Sequence, residues 1–520
     1  VTDVMGNWPE TIPGAAQEAA QKWPNQLALI DGERSWTFAE LWRDARATAS
    51  ALIESGLKPG DRVSVWGPNC RNWILASLGT QIVGAAIVPL NTRFKAMEAV
   101  DLITRSHSKF VFASTVFRGV DHRAMIADKS TPDLQEIVSM DAEFDAFVAR
   151  GKGADDPRVA SAMAALNGDD ISDIIFTSGT TGAPKGAITT HRQVTQIFGD
   201  WATRVDLRQG DNYLIVNPFF HTFGYKAGWV GCLVRGCTIV PMPMFDVQEC
   251  IRMIEHHKIN FIPGPPTIYQ SLLAEIGAGK TFDFSSLRVA VTGAAPVPPA
   301  MVERMRKELG MQNIVNGYGM TECGAICMTC QGDDAETIAY TCGKALPGVE
   351  MKIVDDDGND LPANTTGEVW VRSHAVTKGY LDDPEGTAKA IDPQGWLHTG
   401  DVGAMDERGY LKITDRKKDM YISGGFNCYP AEIEKLLQAN PAIEVAAVIG
   451  VPDERMGEVG KAYVILRPGA QADEAGIIAW ARENMANYKA PKSVAFVADL
   501  PRNAGGKVLR DELRAMAAKH

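Results

Sequence analysis

Residues 177–186 read TSGTTGAPKG and follow the apolar run DIIF. Closely spaced glycines, here Gly179 and Gly182, let backbone N–H groups turn together toward an anion. Thr177, Ser178, Thr180 and Thr181 add hydroxyl donors, and Lys185 adds a mobile positive charge. The chemistry that suits this set is phosphate binding. A Walker A loop needs G-x4-G-K-[ST], whereas this lysine follows proline and precedes glycine, so the loop is of another kind. A flexible polar loop is the alternative, and the order of hydroxyls, glycines and lysine argues against it.

Such a loop needs elements to hold it. Between residues 61 and 114 short β-branched runs (DRVSVWG, AAIVPLN, KFVFAS) alternate with helical patterns, which predicts a βαβαβ series. A second series starts near residue 211, with strands in DNYLIVNP, CTIVPM, INFIPG, LRVAVTG and NIVNGYG. In an open parallel sheet, ligands bind beyond the carboxyl ends of the strands. FFHTFG, PGPP, TGAAP and YGMTE sit at four such ends and are predicted to face one crevice. Beyond Lys344 the runs MKIV, GEVWVRS and YLKITD, with turn signals DDDGND and DERG, predict a small hairpin-rich β subdomain. After the charged stretch DRKKD (residues 415–419) a compact α+β pattern of about a hundred residues follows.

Several ordered motifs give these patterns a family likeness. TSGTTGAPKG, GAAP (293–296), YGMTE (318–322), GWLHTGD (395–401), DRKKD, GGFNCYPAEIE (424–434) and PRNAGGK (501–507) resemble, in order, the signatures of the adenylate-forming (ANL) superfamily. That superfamily comprises acyl-CoA synthetases, luciferases and peptide-synthetase adenylation domains. The resemblance spans nearly the whole chain. It implies an α/β fold: a large domain over residues 1–414, built of two wound α/β subdomains and a small β subdomain. A hinge at 415–420 and a small α+β domain at 421–520 carrying the catalytic lysine complete it.

The implied cofactors are ATP, Mg2+ and coenzyme A. Tyr318 offers a face for adenine, and Gly293, Ala294, Ala295 and Pro296 let backbone approach the base. Asn316, Gly317, Gly319 and Met320 complete that nucleotide run. Thr321 suits a phosphate oxygen, and Glu322 with Thr180 suits Mg2+, which takes one or two carboxylates plus substrate phosphates. Asp401 is expected on the ribose hydroxyls, with Arg416 beside it. Taken singly, these residues also read as a core tyrosine, a helix-capping threonine with its acid, and surface charges.

Attack of a carboxylate on the α-phosphorus gathers negative charge, so catalysis should be mainly electrostatic. Lys507, in PRNAGGK, matches the superfamily's catalytic lysine, and Lys418 matches its hinge position. Gly424, Gly425, Phe426 and Asn427 would leave a narrow path for the pantetheine thiol. His221 is expected to gate the carboxylate or thiol path, or else to bond backbone as a structural histidine. Phe219, Phe220, Phe223 and Tyr225 are expected to line an acyl pocket with Gly264, Pro265, Gly293 and Gly317, or equally to be core. Lys226 would point toward a substrate carbonyl or cap a helix.

The expected activity is AMP-forming ligation of a carboxylic acid to CoA through an acyl-adenylate. NPFFHTFGYKAG and IPGPPTIYQSLL resemble segments of synthetases that activate the propanoate side chain of a two-ring sterol remnant, a hexahydroindanedione (HIP). Medium-chain, aryl and alicyclic acids remain alternatives, as do a carrier-protein thiol as acceptor, oxidation of the adenylate, and a non-catalytic nucleotide-binding regulator.

Composition sets further bounds. The 520 residues are 45% hydrophobic and 22% charged, ordinary for globular domains. A net charge of -12 without Lys/Arg-rich runs argues against nucleic acid as a partner. The uncharged stretch 72–92 contains Gly79, Gly84 and Pro89 and reads as a buried helix followed by a strand, so no integral membrane segment is expected. VTDVMGNWPETIPG lacks the basic-then-apolar order of a secretory signal, and nine scattered cysteines suit a reducing, cytoplasmic setting. Cys323, Cys327 and Cys330 form C-x3-C-x2-C, an arrangement that could hold an iron-sulfur cluster, but no other cluster machinery accompanies it. The oligomeric state is not set by the sequence, a homodimer being one option.

Overall fold

The computed structural model describes residues 5–177, 184–293, 297–355, 357–416, 420–501, 508 and 510–518, the side chains at 414–416, 427, 431, 435 and 511 excepted. The chain divides into two compact units. Val1–Thr92, Ile103–Ile175 and Ala187–Thr414 form the first; Arg93–Leu102, Phe176–Gly186 and Asp415–His520 form the second.

Two wound sheets organise the first unit. A six-stranded sheet runs in the order Glu136–Ser139, Ser108–Ala113, Arg62–Trp66, Ala86–Pro89, Ile171–Thr177, Lys185–Thr190, and its first five strands are parallel. The uncharged stretch forms the helix Arg71–Ile82 and the strand Ala86–Pro89. That helix is buried on all sides, with Trp73, Ile74, Leu75 and Leu78 at most 1% exposed. It tolerates polar residues because Ser77 Oγ donates to Trp73 O at 2.9 Å and Thr80 Oγ1 to Ala76 O at 2.8 Å. Among the described residues no helix is long and apolar enough to cross a membrane.

In the nine-stranded second sheet, Asn313–Met320, Val289–Gly293, Phe261–Pro263 and Asn212–Ile215 are successive neighbours and mutually parallel. The segments YGMTE, TGAAP, PGPP and FFHTFG therefore leave adjacent strands at the same edge. Beneath the last of them lies an aromatic cluster of Trp73, Phe219, Tyr225 and Trp229 with ring centroids 5.1 to 6.2 Å apart. A separate four-stranded sheet, Val349–Val354, Gly367–Ser373, Leu397–Met405 and Leu411–Arg416, begins with antiparallel pairs and presents Asp401.

The second unit builds a sheet from Phe426–Cys428, Tyr421–Ser423, Gly457–Leu466 and Ile443–Asp453, with Ser493–Phe496 paired parallel to Gly457–Leu466. Helices Pro430–Gln438 and Glu474–Asn484 bring Ile433, Leu437, Ile477 and Ala481 into its core.

Candidate active site

The turn after Asn212–Ile215 is held by side-chain amides. Asn69 Nδ2 donates to Ile215 O at 3.2 Å and Asn217 O at 2.9 Å, while Asn69 Oδ1 accepts from Phe219 N–H at 2.7 Å. Asn217 Nδ2 donates to Pro263 O at 3.2 Å, tying the turn to the neighbouring strand. His221 is exposed on this turn, and its Nδ1 accepts from Phe223 N–H at 3.2 Å. The neutral ring therefore carries its proton on Nε2.

The chain continues as a π-helical segment, Phe223–Val230, broken at Gly228, whose φ of -78° and ψ of -105° are not helical. Phe223 is half-buried against the edge of Trp201. Tyr225 and Phe219 are fully buried, so of the two roles open to them in the sequence they take that of core. Lys226 is 2% exposed, with its ammonium 2.8 Å from buried Asp173 and donating to Thr189 Oγ1 at 3.0 Å. The charge expected at a substrate carbonyl or a helix end is thus held in a buried ion pair. Gly264 is buried at the end of Phe261–Pro263, its N–H on Val291 O at 2.9 Å, and Pro265 precedes the helix Pro266–Gly277.

The nucleotide motifs of the first unit lie on paired strands. Gly293 faces Gly317 in register, and a Cβ at Gly293 would come 2.8 Å from Gly317 O, so close backbone approach requires glycine there. Tyr318 is half-buried, and its hydroxyl donates to Asp401 Oδ2 at 2.5 Å. Asp401 is 4% exposed, and its own N–H is oriented by Thr399 Oγ1 at 3.1 Å. Asn316 has a structural task, its amide donating to Ile338 O at 3.1 Å and Thr341 O at 2.9 Å. Thr321 and Glu322 occupy a turn between the antiparallel strands Asn313–Met320 and Gly324–Met328, which removes the helix-cap reading. Glu322 is buried, and Tyr380 donates to its Oε1 at 3.1 Å. Met320 is half-buried beside them.

In the second unit, Thr177 Oγ1 donates to Lys185 O at 3.4 Å across the base of the hydroxyl-rich loop. Gly424 and Gly425 have φ of +56° and +84°, a left-handed turn that only glycine adopts readily twice in succession. Phe426 follows and stacks on Tyr488 with centroids 4.5 Å apart. Ser178, Gly179, Thr180, Thr181, Gly182, Ala294, Ala295, Pro296, Lys418 and Lys507, and the side chains of Arg416 and Asn427, lie outside the described residues.

The cysteine triplet is dispersed into packing. Cys323 and Cys327 are fully buried, and burial pushes the Cys323 thiol up to about 12. Cys330 is half-buried, and among the described residues no group of His, Cys, Asp or Glu is arranged to hold a metal ion.

Residues 16–381 match the family model described as AMP-binding enzyme. The chain belongs to the AMP-binding enzyme family. Residues 432–507 match the AMP-binding enzyme C-terminal domain. Over 512 residues this AMP-binding enzyme is 48% identical to the 3-[(3aS,4S,7aS)-7a-methyl-1,5-dioxo-octahydro-1H-inden-4-yl]propanoyl:CoA ligase of Mycobacterium tuberculosis, covering 97% of this chain and 99% of the relative. It is 46% identical to the ligase of the same name from Rhodococcus jostii, covering 98% and 99%. Among solved structures, the o-succinylbenzoate CoA synthetase of Bacillus subtilis, bound to a product analogue, superposes with a TM-score of 0.82 at 28% identity, covering 96% of this chain and 98% of that one. The enzyme is an ATP-dependent, AMP-forming acid:CoA ligase.

Several residues that shape the site carry no local sequence signal. Asn69 and Asn217 are 148 positions apart, and each is one polar residue in an ordinary turn. Asp173 and Lys226 do leave a trace: each is a lone charge inside an apolar run, SDIIF and GYKAGWV, and two such charges of opposite sign suggest a buried pair.

Proposed function

We propose that this ligase activates a bulky, apolar, ring-bearing propanoate of the HIP class, with Mg2+ on the ATP phosphates. The observation that carries the choice of acid is the end-to-end match, at 48% and 46% identity, to two ligases named for that substrate. A rigid bicyclic acid also suits a turn pinned at Asn69 and backed by a packed aromatic cluster.

In the first half-reaction an oxygen of the acid's carboxylate bonds to the α-phosphorus and pyrophosphate leaves. Lys507, from the small C-terminal domain that begins beyond the hinge at 415–420, neutralises the charge gathering there. Asp401 accepts from the ribose hydroxyls, and Tyr318, whose hydroxyl donates to that carboxylate, stacks on the adenine. Glu322 fits Mg2+ as a buried carboxylate whose neighbour Tyr380 is a neutral donor, and the bound ion would offset phosphate charge. The His221 Nε2–H donates to the incoming acid. In the second half-reaction the CoA sulfur bonds to the acyl carbon, AMP departs with the bridging oxygen, and the thiol proton passes to solvent. Gly424 and Gly425 leave room for the pantetheine arm.

The test is a comparison of kcat/KM for CoA-dependent AMP release with HIP, a straight medium-chain acid and an aryl acid. HIP should lead by on the order of ten-fold to a hundred-fold, the scale at which pocket contacts discriminate apolar groups. A lead by either competitor sinks the assignment of the acid while leaving the ligase reaction intact.

A further inference from the structure

We propose that Lys226 is a positioning residue for acid activation: its buried ion pair with Asp173 fixes the π-helical wall behind His221 to the strands Ile171–Thr177 and Lys185–Thr190. The inference concerns the ligase reaction with any acid the enzyme accepts.

The pair sits at the centre of a buried polar network. Lys226 Nζ lies 2.8 Å from Asp173 Oδ1 and donates to Thr189 Oγ1 at 3.0 Å. Ser172 Oγ donates to Asp173 Oδ2 at 2.7 Å. Gln81 Nε2 donates to Tyr225 OH at 2.7 Å and to Ser172 O at 3.1 Å, which extends the network to the residue next to Lys226. All six side chains are buried. The network joins the helix Arg71–Ile82, both strands and the π-helical segment.

A buried ion pair is a poor way to gain stability, because desolvation of both charges offsets most of their attraction and an apolar pair serves as well. What it adds is direction. Residues 223–230 need an external fix, since a π-helical turn is rare, concentrates at functional sites, and is interrupted here at Gly228. The fix reaches the substrate side in one step: Tyr225 N–H donates to His221 O at 3.0 Å. Loss of the pair therefore frees the backbone that sets His221 and Phe223, and every member of the network belongs to the first unit.

The experiment uses the full-length double variant Asp173→Asn/Lys226→Gln, which removes both charges and keeps shape and hydrogen-bonding capacity. Folding is checked by thermal unfolding. The readouts are acid-dependent ATP–pyrophosphate exchange and thioester formation from supplied acyl-adenylate. The folded variant should lose about ten-fold to a hundred-fold in exchange kcat and show a raised KM for the acid, as a displacement near 1 Å produces. KM for ATP and the thioester half-reaction should stay within about three-fold. A folded variant with exchange kcat and acid KM within about two-fold of the parent overturns the proposal, as does equal loss in both half-reactions. If the double variant does not fold, Lys226→Arg, which keeps the charge but alters its reach, is read by the same split.

Discussion

Gly224→Ala is the sharpest probe of the pocket turn. A Cβ at this buried position would sit 2.6 Å from the carbonyl carbon of Pro218 and overlap the carbonyl oxygens of Pro218 and Asn217. Ordinary carbon contacts are about 3.5 Å or longer, so backbone must move by roughly 1 Å. The turn cannot yield freely, because Asn69 holds both Asn217 O and Phe219 N–H. The strain should cost about 1–3 kcal/mol, exceeding the roughly 1 kcal/mol that alanine gains over glycine in a helix. Displacing His221 and Phe223 by that distance should lower kcat/KM for the acid on the order of a hundred-fold. Thermal unfolding and acid-dependent pyrophosphate exchange measure the two effects. A variant that is more stable and keeps kcat/KM within about two-fold would show that the turn tolerates the methyl group and that the packing argument is wrong.

Other substitutions address separate parts of the account. Asp401→Ala should raise KM for ATP by on the order of a hundred-fold or more, two hydrogen bonds to a charged group being removed at about 1.5–3 kcal/mol each. The parent should discriminate against 2′,3′-dideoxy-ATP, whereas the variant should accept it and ATP alike. Lys507→Ala should nearly abolish pyrophosphate exchange and spare thioester formation from supplied acyl-adenylate; equal loss of both would contradict its assigned role. His191, which opens the helix His191–Arg204, is fully buried and its pKa is lowered from 6.5 to about 3 by desolvation. Because the unfolded chain takes up a proton that the folded site refuses, its contribution is complete above pH 6.5 and falls away as the pH drops toward about 3. Urea unfolding at a series of pH values should show a slope in that window steeper by about 1.4 kcal/mol per pH unit than that of His191→Gln.

The fold was legible where the signal is local and periodic. Alternating strand and helix patterns announce two wound sheets, and the absence of charge over residues 72–92 marks a helix buried on every side. Four loops at one sheet edge follow from order along the chain, since strands joined by helical crossovers lie parallel. Pairings between distant residues were legible at most as a trace, a lone charge in each of two apolar runs for Asp173 and Lys226. A lysine in GYKAGWV looks available to a substrate until Asp173 is found beneath it, and only the packing of helix, strand and π-helical segment brings the two together. Tyr225 reads equally as pocket wall or core, and its hydroxyl meets Gln81 in the interior. Thr321 and Glu322 fit a capping pattern, yet the chain there turns back along Gly324–Met328 as an antiparallel strand. The association of residues 93–102 with the C-terminal segment also has no periodic signature, because it depends on tertiary packing.

The chemistry itself is tested most directly by following the acid's oxygen atoms. With both carboxylate oxygens labelled as 18O, ATP and CoA, a single turnover should place one 18O in AMP, leave one in the thioester carbonyl, and put none in pyrophosphate. AMP free of label, or label in a phosphate lost from the far end of ATP, would contradict bonding of the acid to the α-phosphorus.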